Sequence, residues 1–291
     1  MVLILVSSCL ALQLSLYGFD GHDNSLVRAR AFHCLPSSFA DNFKDFNSGS
    51  LGGLYWKLGI NIQACQNRVG VLFFMCTVLA FGAMSSLELF ISERVIYIRE
   101  RANGYYRPMA YFFSKILFDI LPLRIVPPVL IGSIAYFMIG LRAKASAFLY
   151  FLVIITLFNI VAGGLCLIIA SVAPSVAAAN IIAIACILVA TLFAGFLVNR
   201  ETLPPSLSWI FFGSFFSYAF ESLLVNELSK MPIIIDPKGV KPYPGTGDFI
   251  LRLFGMQDNR FFLDIVVLFC FGLGFIIIAG ILIKFFVKEK R

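Results

Sequence analysis

The sequence contains little charge and very little histidine. Asp, Glu, Lys and Arg make up 13% of the 291 residues, histidine occurs twice, and 60% of the residues are hydrophobic. Soluble domains usually carry about 25% charged residues, and one soluble core cannot bury this much apolar side chain. The excess apolar surface is expected to face lipid, which excludes a soluble globular enzyme.

Motifs that would mark an enzyme are also missing. The sequence has no GxxxxGK[ST] phosphate loop, so it is not expected to bind ATP by that route, and no GxSxG or HExxH signature. The seven cysteines form no CxxC pair and both histidines lie outside the long apolar runs, so no metal site is predicted. An integral membrane enzyme therefore has little support.

Five stretches are long and apolar enough to cross a bilayer core of about 30 Å as helices. Their predicted bounds are 69–91, 109–139, 147–172, 176–198 and 262–287. The net charge is +7, and the basic residues cluster at the ends of these runs, as the positive-inside rule expects. Membrane lipid, and not nucleic acid, is the partner that this pattern indicates.

The flanking charges predict the orientation. Residues 92–107 contain four arginines and the C-terminus ends in KEKR, so both are expected to be cytoplasmic. Residues 199–261 then form an outer loop, whose apolar first part is either a re-entrant hairpin or an ordinary amphipathic helix. Residues 49–58 resemble only the outer end of a first span, and residues 1–48 form an atypical N-terminal segment. The predicted fold is an all-α, multi-pass integral membrane protein with five complete transmembrane helices and the remnant of a first; the membrane domain covers 49–291.

Three features carry candidate functional residues, each with a plainer interpretation. Residues 92–107 are either an amphipathic helix that couples a cytoplasmic partner or a solvated loop that only sets topology. Phe74, Thr77 and Phe81 share one helix face, which either stacks flat apolar substrates or only packs. Arg124 lies inside a span, where it either lines a path or snorkels to the interface.

Taken in order, several runs resemble a known family. NRVGVLFF from Asn67, the ELF…ER run from Glu88, RERANGYYRPMAYFFSKILFDILPLRIVP from Arg99, AYFMIGL, AGFLVN and the terminal KFFVKEKR resemble the membrane domain of G-subfamily ATP-binding cassette exporters. The resemblance covers 52–291. It implies a type 2 exporter that works as a homo- or heterodimer, with ATP and Mg²⁺ bound by a nucleotide-binding domain that is absent from this chain.

The resemblance also implies residue roles. The substrate cavity would be lined by Phe73, Phe74, Thr77, Phe81 and Arg124, and a plug between the inner and outer cavities would be formed by Phe196 and Leu197. Coupling to the cytoplasmic ATPase would involve Glu88, Glu93, Arg94, Arg99, Glu100, Arg101, Tyr105 and Tyr106. The chain departs from the multidrug member at Val78, which replaces a cavity asparagine, and at Phe196, where that member has leucine.

Two functional hypotheses follow. The first is the permease portion of an ATP-driven exporter that moves lipids, sterols or amphipathic compounds by alternating access, in the plasma membrane or an organelle. The second is a truncated, non-transporting paralogue that dimerises with full-length half-transporters and regulates them.

Overall fold

The computed structural model describes residues 62–103, 105, 107–117, 121–198, 209–229, 231–235 and 243–286. The N-terminal segment 1–48 and the first-helix remnant therefore lie outside the described residues. The helices are α1 (Ile62–Gly82), α2 (Ser85–Ala102), α3 (Pro108–Lys115), α4 (Leu121–Ile139), α5 (Ala145–Val172), α6 (Val176–Leu192), α7 (Trp209–Gly213), α8 (Phe215–Leu228), α9 (Asp248–Leu253) and α10 (Phe261–Phe286).

Four helical stretches are long and apolar enough to cross a membrane: Ala64–Ala102, Leu121–Ile139, Ala145–Val172 and Asp258–Phe285. The fifth predicted span corresponds to the shorter apolar helix α6, which has 17 residues and rises about 25 Å. The prediction of a helical, multi-pass integral membrane protein is thus confirmed. A two-stranded antiparallel hairpin, β1 (Pro232–Ile235) and β2 (Tyr243–Thr246), adds the one sheet among the described residues.

The first span differs from its predicted bounds. Helix α1 ends at Gly82, and α2 starts at Ser85 and continues to Ala102. The two helices are separated by a break at Ala83 and Met84, where the Ser86 amide donates to the Ala83 carbonyl. Residues 92–102 of the predicted coupling segment therefore lie in α2, a helix that starts at Ser85, within the predicted bounds of the first span.

Helix α5 is the centre of the bundle and packs against α1, α2, α4, α6, α8 and α10. Small residues on α5 allow this, because they let neighbouring helices approach closely. A Cβ atom on Gly164 would lie 3.0 Å from the Phe275 Cβ of α10, and one on Gly163 would meet the Arg124 side chain of α4.

Glycines with positive φ end two of the spans. Gly140 (φ 69°) follows α4, and the Leu141 amide donates to the Tyr136 carbonyl, as at many helix C-termini. Helix α6 ends at Leu192 and not at the predicted 198, because Gly195 (φ 94°) lies in a non-helical turn over 193–198. That span is six residues shorter than the hydropathy pattern indicates.

The outer segment after α6 folds onto the bundle. Helices α7 and α8 are separated at Ser214, whose hydroxyl donates to the Ala190 carbonyl near the end of α6. Thirteen of the 14 residues of α8 are buried. An ordinary amphipathic helix would expose one face, so that interpretation is wrong for α8.

Candidate functional site

Helix α1 has one closed face and one more open face. Cys65, Leu72 and Cys76 are buried against the core, whereas Phe74, Thr77 and Phe81 are half-buried. The Thr77 hydroxyl donates to the Phe73 carbonyl at 3.0 Å, which satisfies it within the helix. The predicted face formed by Phe74, Thr77 and Phe81 is therefore only partly covered by other residues in the described structure.

Phe73 belongs to a different environment from the other three. Its ring centroid lies 4.8 Å from that of Phe196 and 5.7 Å from that of Phe220 on α8. The family resemblance implied that Phe73 lines the cavity with Phe74, but the ring contacts of Phe73 are with Phe196 and Phe220, after α6.

Arg124 is buried, at 1% exposure, so it does not snorkel to the interface. Its Nη2 donates to the Ala83 carbonyl at 2.8 Å, and its own carbonyl accepts from Asn159 Nδ2 at 3.0 Å. Its Nε and Nη1 have no hydrogen-bond partner among the described residues. A small cavity beside it is lined mainly by apolar residues of α4, α5 and α10 and by Ile116, which follows α3. Arg124 thus contacts the break in the first span at Ala83, which is two residues after Phe81 in the sequence.

The two residues of the predicted plug have different surroundings. Phe196 is half-buried and contacts three other phenylalanine rings, whereas Leu197 is 57% exposed. They lie next to each other in the turn that follows α6.

The predicted coupling residues on α2 contact the ends of other helices. Arg94 Nη1 donates to the Ala173 carbonyl at 2.8 Å and to the Ala170 carbonyl at 3.2 Å, at the C-terminus of α5. Arg101 Nη2 donates to the Lys284 carbonyl in the last turn of α10, at 3.3 Å. A guanidinium near C-terminal carbonyls is favourable because these groups carry the negative end of the helix dipole.

The remaining coupling residues divide between packed and exposed positions. Glu93 forms an ion pair with Lys115 of α3, and Glu88 accepts from Asn180 Nδ2 of α6 at 3.4 Å. Arg99 and Tyr105 are exposed and Glu100 is half-buried, while Tyr106 lies outside the described residues.

Sequence reasoning missed a buried polar network at the opposite end of the bundle. Glu227 of α8 accepts from the Arg68 guanidinium of α1 with Oε1 and from the Arg142 amide with Oε2, the latter at 3.0 Å. Arg142 Nη1 also donates to the Ser229 carbonyl at 3.1 Å. Burial raises the pKa of the Glu227 carboxyl, and the Arg142 amide and Arg68 guanidinium oppose that rise. A glutamate within an apolar run was a signal for such a network in the sequence. The sequence could not identify its partner, because Arg68 is 159 residues away from Glu227.

No metal-binding cluster occurs in the part of the chain that the structure describes. No group of three or more His, Cys, Asp or Glu residues there could hold a metal ion. The five described cysteines are free. The predicted site residues thus divide into a half-buried face on α1 and polar contacts from α2 to neighbouring helices.

Comparisons with known proteins agree with this architecture. Residues 46–228 match the family model described as "ABC-2 type transporter". The chain is 41% identical over 243 residues to ABC transporter G family member 24 of Dictyostelium discoideum, covering 83% of this chain and 21% of that protein. It is 34% identical over 243 residues to a probable ATP-dependent permease of Saccharomyces cerevisiae, covering 83% and 23%.

A mammalian protein is similar over a shorter region. The chain is 36% identical over 177 residues to the broad substrate specificity ATP-binding cassette transporter ABCG2 of Mus musculus, covering 61% of this chain and 27% of that protein. The chain therefore spans 21% to 27% of the length of these three curated relatives.

Proposed function

The chain belongs to the ABC-2 type transporter family, and from this premise we propose that it forms the permease portion of an ATP-driven exporter. Its cargo would be lipids, sterols or other amphipathic compounds, moved by alternating access. The relatives' names include an ATP-dependent permease and a transporter of broad substrate specificity, which supports ATP-driven movement and an apolar, tolerant cavity.

The observation that carries this proposal is the attachment of α2. The helix begins at the break inside the first span, and Arg94 and Arg101 join it to the carbonyl ends of α5 and α10. A cytoplasmic ATPase that displaces α2 would therefore move the ends of two spans together, which is what coupling requires. The exposed Arg99 and Tyr105 provide a contact surface on the same segment.

The open face of α1 is the proposed substrate surface. Phe74, Thr77 and Phe81 of one copy would face those of a second copy and enclose a cavity that takes flat apolar molecules. Arg124 would act at the cytoplasmic end of that surface by holding Ala83. ATP and Mg²⁺ would bind a nucleotide-binding domain elsewhere, in a longer form of this chain or in a partner, and α6 would serve as the fifth complete span.

The test is ATP-dependent uptake by inside-out vesicles that contain the chain together with an ATPase-bearing G-family half-transporter. A fluorescent sterol serves as probe. We expect uptake above that of the half-transporter alone, and we expect Phe81→Ala to reduce it while co-purification of the two proteins is unchanged. Phe137→Ala is the matched control, because Phe137 is 73% exposed on α4 and its ring contacts Tyr136 and Phe148.

Two outcomes would contradict the proposal. Equal uptake by the Phe81→Ala variant would remove the cavity role. Association with the half-transporter that lowers its uptake would instead support the regulatory, non-transporting alternative.

A further inference from the structure

The short helix α3 packs against α2 and α10 through one of its faces. The Phe112 ring is buried and lies so close to α10 that a Cβ atom on Gly280 would be 2.6 Å from Phe112 Cε1. The Tyr111 ring stacks on the Tyr97 ring of α2, with centroids 4.5 Å apart. Two neighbouring aromatic residues therefore fix α3 to both helices.

The other face of α3 is apolar and uncovered. Met109, Phe113 and Leu117 follow one another at a spacing of four residues, which places them on one side of α3 and of the turn after it. Their side chains are 41%, 70% and 59% exposed. At the end of a membrane-spanning bundle, such a row of exposed apolar side chains is expected to contact lipid.

Helix lengths place this row at the edge of the bilayer. Helix α4 has 19 residues and rises about 28 Å, which already matches a hydrocarbon core of about 30 Å. Helix α3 precedes α4, so it extends beyond the core at the end that is predicted to be cytoplasmic. Its exposed apolar face therefore lies where acyl chains meet headgroups.

The same end of the bundle is basic. Arg101 Nη2 donates to the Lys284 carbonyl at 3.3 Å, which joins the ends of α2 and α10, and Arg107 directly precedes α3. Among the described residues from 99 to 117 and from 281 to 286, the charged residues outside the ion pair of α2 with α3 are Arg99, Glu100, Arg101, Arg107 and Lys284. Four cations thus accompany one carboxylate beside the apolar face.

We propose that this surface binds an anionic phospholipid of the cytoplasmic leaflet. Its headgroup contacts the three exposed cations and its acyl chains contact the apolar row; together these residues form the basic interfacial surface: Arg99, Arg107, Lys284, Met109, Phe113 and Leu117. Charge complementarity selects this occupant, because the cytoplasmic leaflet carries negatively charged lipids that attract basic segments beside membrane helices. A zwitterionic lipid has the same chains but no net charge.

The first test compares two lipids with the same acyl chains. The purified full chain in detergent is titrated with palmitoyl-oleoyl phosphatidylserine or phosphatidylcholine, and bound lipid is counted by native mass spectrometry. We expect at least about tenfold tighter binding of phosphatidylserine, because each basic residue near anionic lipid contributes about fivefold. Equal binding of the two lipids would overturn the inference.

The variant that tests the cations combines Arg99→Gln, Arg107→Gln and Lys284→Gln. We expect its affinity for phosphatidylserine to fall to that of phosphatidylcholine. The variant that combines Arg99→Lys, Arg107→Lys and Lys284→Arg keeps the charges and should retain the preference. An unchanged preference in the glutamine variant would overturn the assignment of the headgroup to these residues.

A matched control removes three exposed cations near the starts of α5 and α10, at the other end of the bundle. It combines Lys144→Gln, Arg252→Gln and Arg260→Gln, so the change in net charge is the same. We expect this variant to bind phosphatidylserine as the parent chain does. An equal loss of binding in the control would show that net charge, and not this surface, causes the preference.

The second test locates the lipid without removing any charge, so it also decides the question if the glutamine variant fails to fold. Phe113→Trp is made in a background in which both native tryptophans are replaced by phenylalanine. The protein is placed in nanodiscs of phosphatidylserine and phosphatidylcholine at a fixed ratio, in which one or the other lipid carries brominated chains that quench tryptophan fluorescence.

We expect brominated phosphatidylserine to quench Phe113→Trp more strongly than brominated phosphatidylcholine at equal mole fraction. Phe137→Trp is the matched control, because Phe137 is 73% exposed near the other end of α4, and the two lipids should quench it equally. Equal quenching at 113 would overturn the inference. Neither test needs ATP or a transported substrate, so a failure of the vesicle uptake test would remove the proposed export and leave these results unaffected.

Discussion

Arg124 donates a hydrogen bond from Nη2 to the carbonyl oxygen of Ala83, at 2.8 Å, where the first span breaks between α1 and α2. The pair joins α4 to the first span at a single carbonyl. That carbonyl also accepts from the Ser86 amide and the Ser86 hydroxyl, so it anchors the start of α2 as well. A buried guanidinium at this position keeps the break in one geometry.

Arg124→Met should loosen the break more than it destabilises the fold. It removes a charge-assisted hydrogen bond worth about 1.5–3 kcal/mol, but it also removes a buried charge whose desolvation is costly. We expect the Ser86 and Leu87 amides to exchange hydrogen about ten- to a hundredfold faster, with a smaller change in global stability. Mass spectrometry of peptides that cover residues 80–90 measures this.

Arg142→Met is the control for that experiment. Arg142 makes a similar hydrogen bond to a helix-end carbonyl, that of Ser229, but at the other end of the bundle. Unchanged exchange at Ser86 in Arg124→Met, or the same acceleration in Arg142→Met, would contradict the assigned role.

Gly163→Ala should destabilise the protein through Arg124. A Cβ at this position would lie 2.9 Å from Arg124 Nε and 3.1 Å from its Cδ, so the buried side chain must shift. Overpacking of this kind costs about 1–3 kcal/mol. Thermal unfolding in detergent measures the change, and combination with Arg124→Met is expected to restore most of it.

Gly274→Ala is the matched control, because a Cβ there meets no heavy atom within 4 Å. Alanine is the better helix former by about 0.5–1 kcal/mol, so this variant should be neutral or slightly more stable. A loss as large as that of Gly163→Ala would show that the Arg124 contact is not the cause.

The hydropathy pattern indicated the bundle but not its internal breaks. Runs of about 20 apolar residues predict spans because the bilayer imposes their length. Nothing in that rule distinguishes the break at Ala83 from continuous helix, since Ala83 and Met84 are ordinary helix formers. Arg124, which donates a hydrogen bond to Ala83 at the break, is 41 residues away in the chain.

Glu227→Gln should destabilise the fold by about 3 kcal/mol, because it removes the carboxylate that forms a buried ion pair with Arg68. Glu227 accepts from Arg68 with one oxygen and from the Arg142 amide with the other. Glutamine has one oxygen, so its NH₂ group would face a donor. Thermal unfolding measures the loss, and Glu88→Gln, an exposed carboxylate with one 3.4 Å contact, should change it by less than about 1 kcal/mol.

Recovery in a double variant would identify the cause. Replacement of Arg68 by Met together with Glu227 by Leu removes both charges, and we expect it to be more stable than Glu227→Gln alone. If the double variant is the less stable of the two, the loss of the ion pair between Arg68 and Glu227 does not explain the effect.

Gly195→Ala should strain the turn after α6. An L-residue with positive φ costs about 1–2 kcal/mol, and the new Cβ would approach Met256 to 3.3 Å. We expect lower thermal stability and faster protease cleavage within 193–198. Gly213→Ala, with no heavy atom within 4 Å, should affect neither measurement. Unchanged cleavage in Gly195→Ala would contradict the strained conformation.

The candidate site could be predicted in part. The three- and four-residue spacing of Phe74, Thr77 and Phe81 placed them on one face, and the structure leaves that face half-open. The resemblance grouped Phe73 with them, and no spacing rule could predict its ring contact with Phe196, which joins residues 123 positions apart. Roles in transport remain predictions for every residue of the site.

The burial of α8 has a consequence for how the protein is made. Helix α8 packs against α1, α5 and α10, and α10 is the last helix along the chain. A ribosome that has just completed α8 has therefore not yet produced one of the walls that cover it. Chains that stop before residue 261 would leave exposed the side of α8 that α10 covers, so quality control should recognise incomplete chains by this surface.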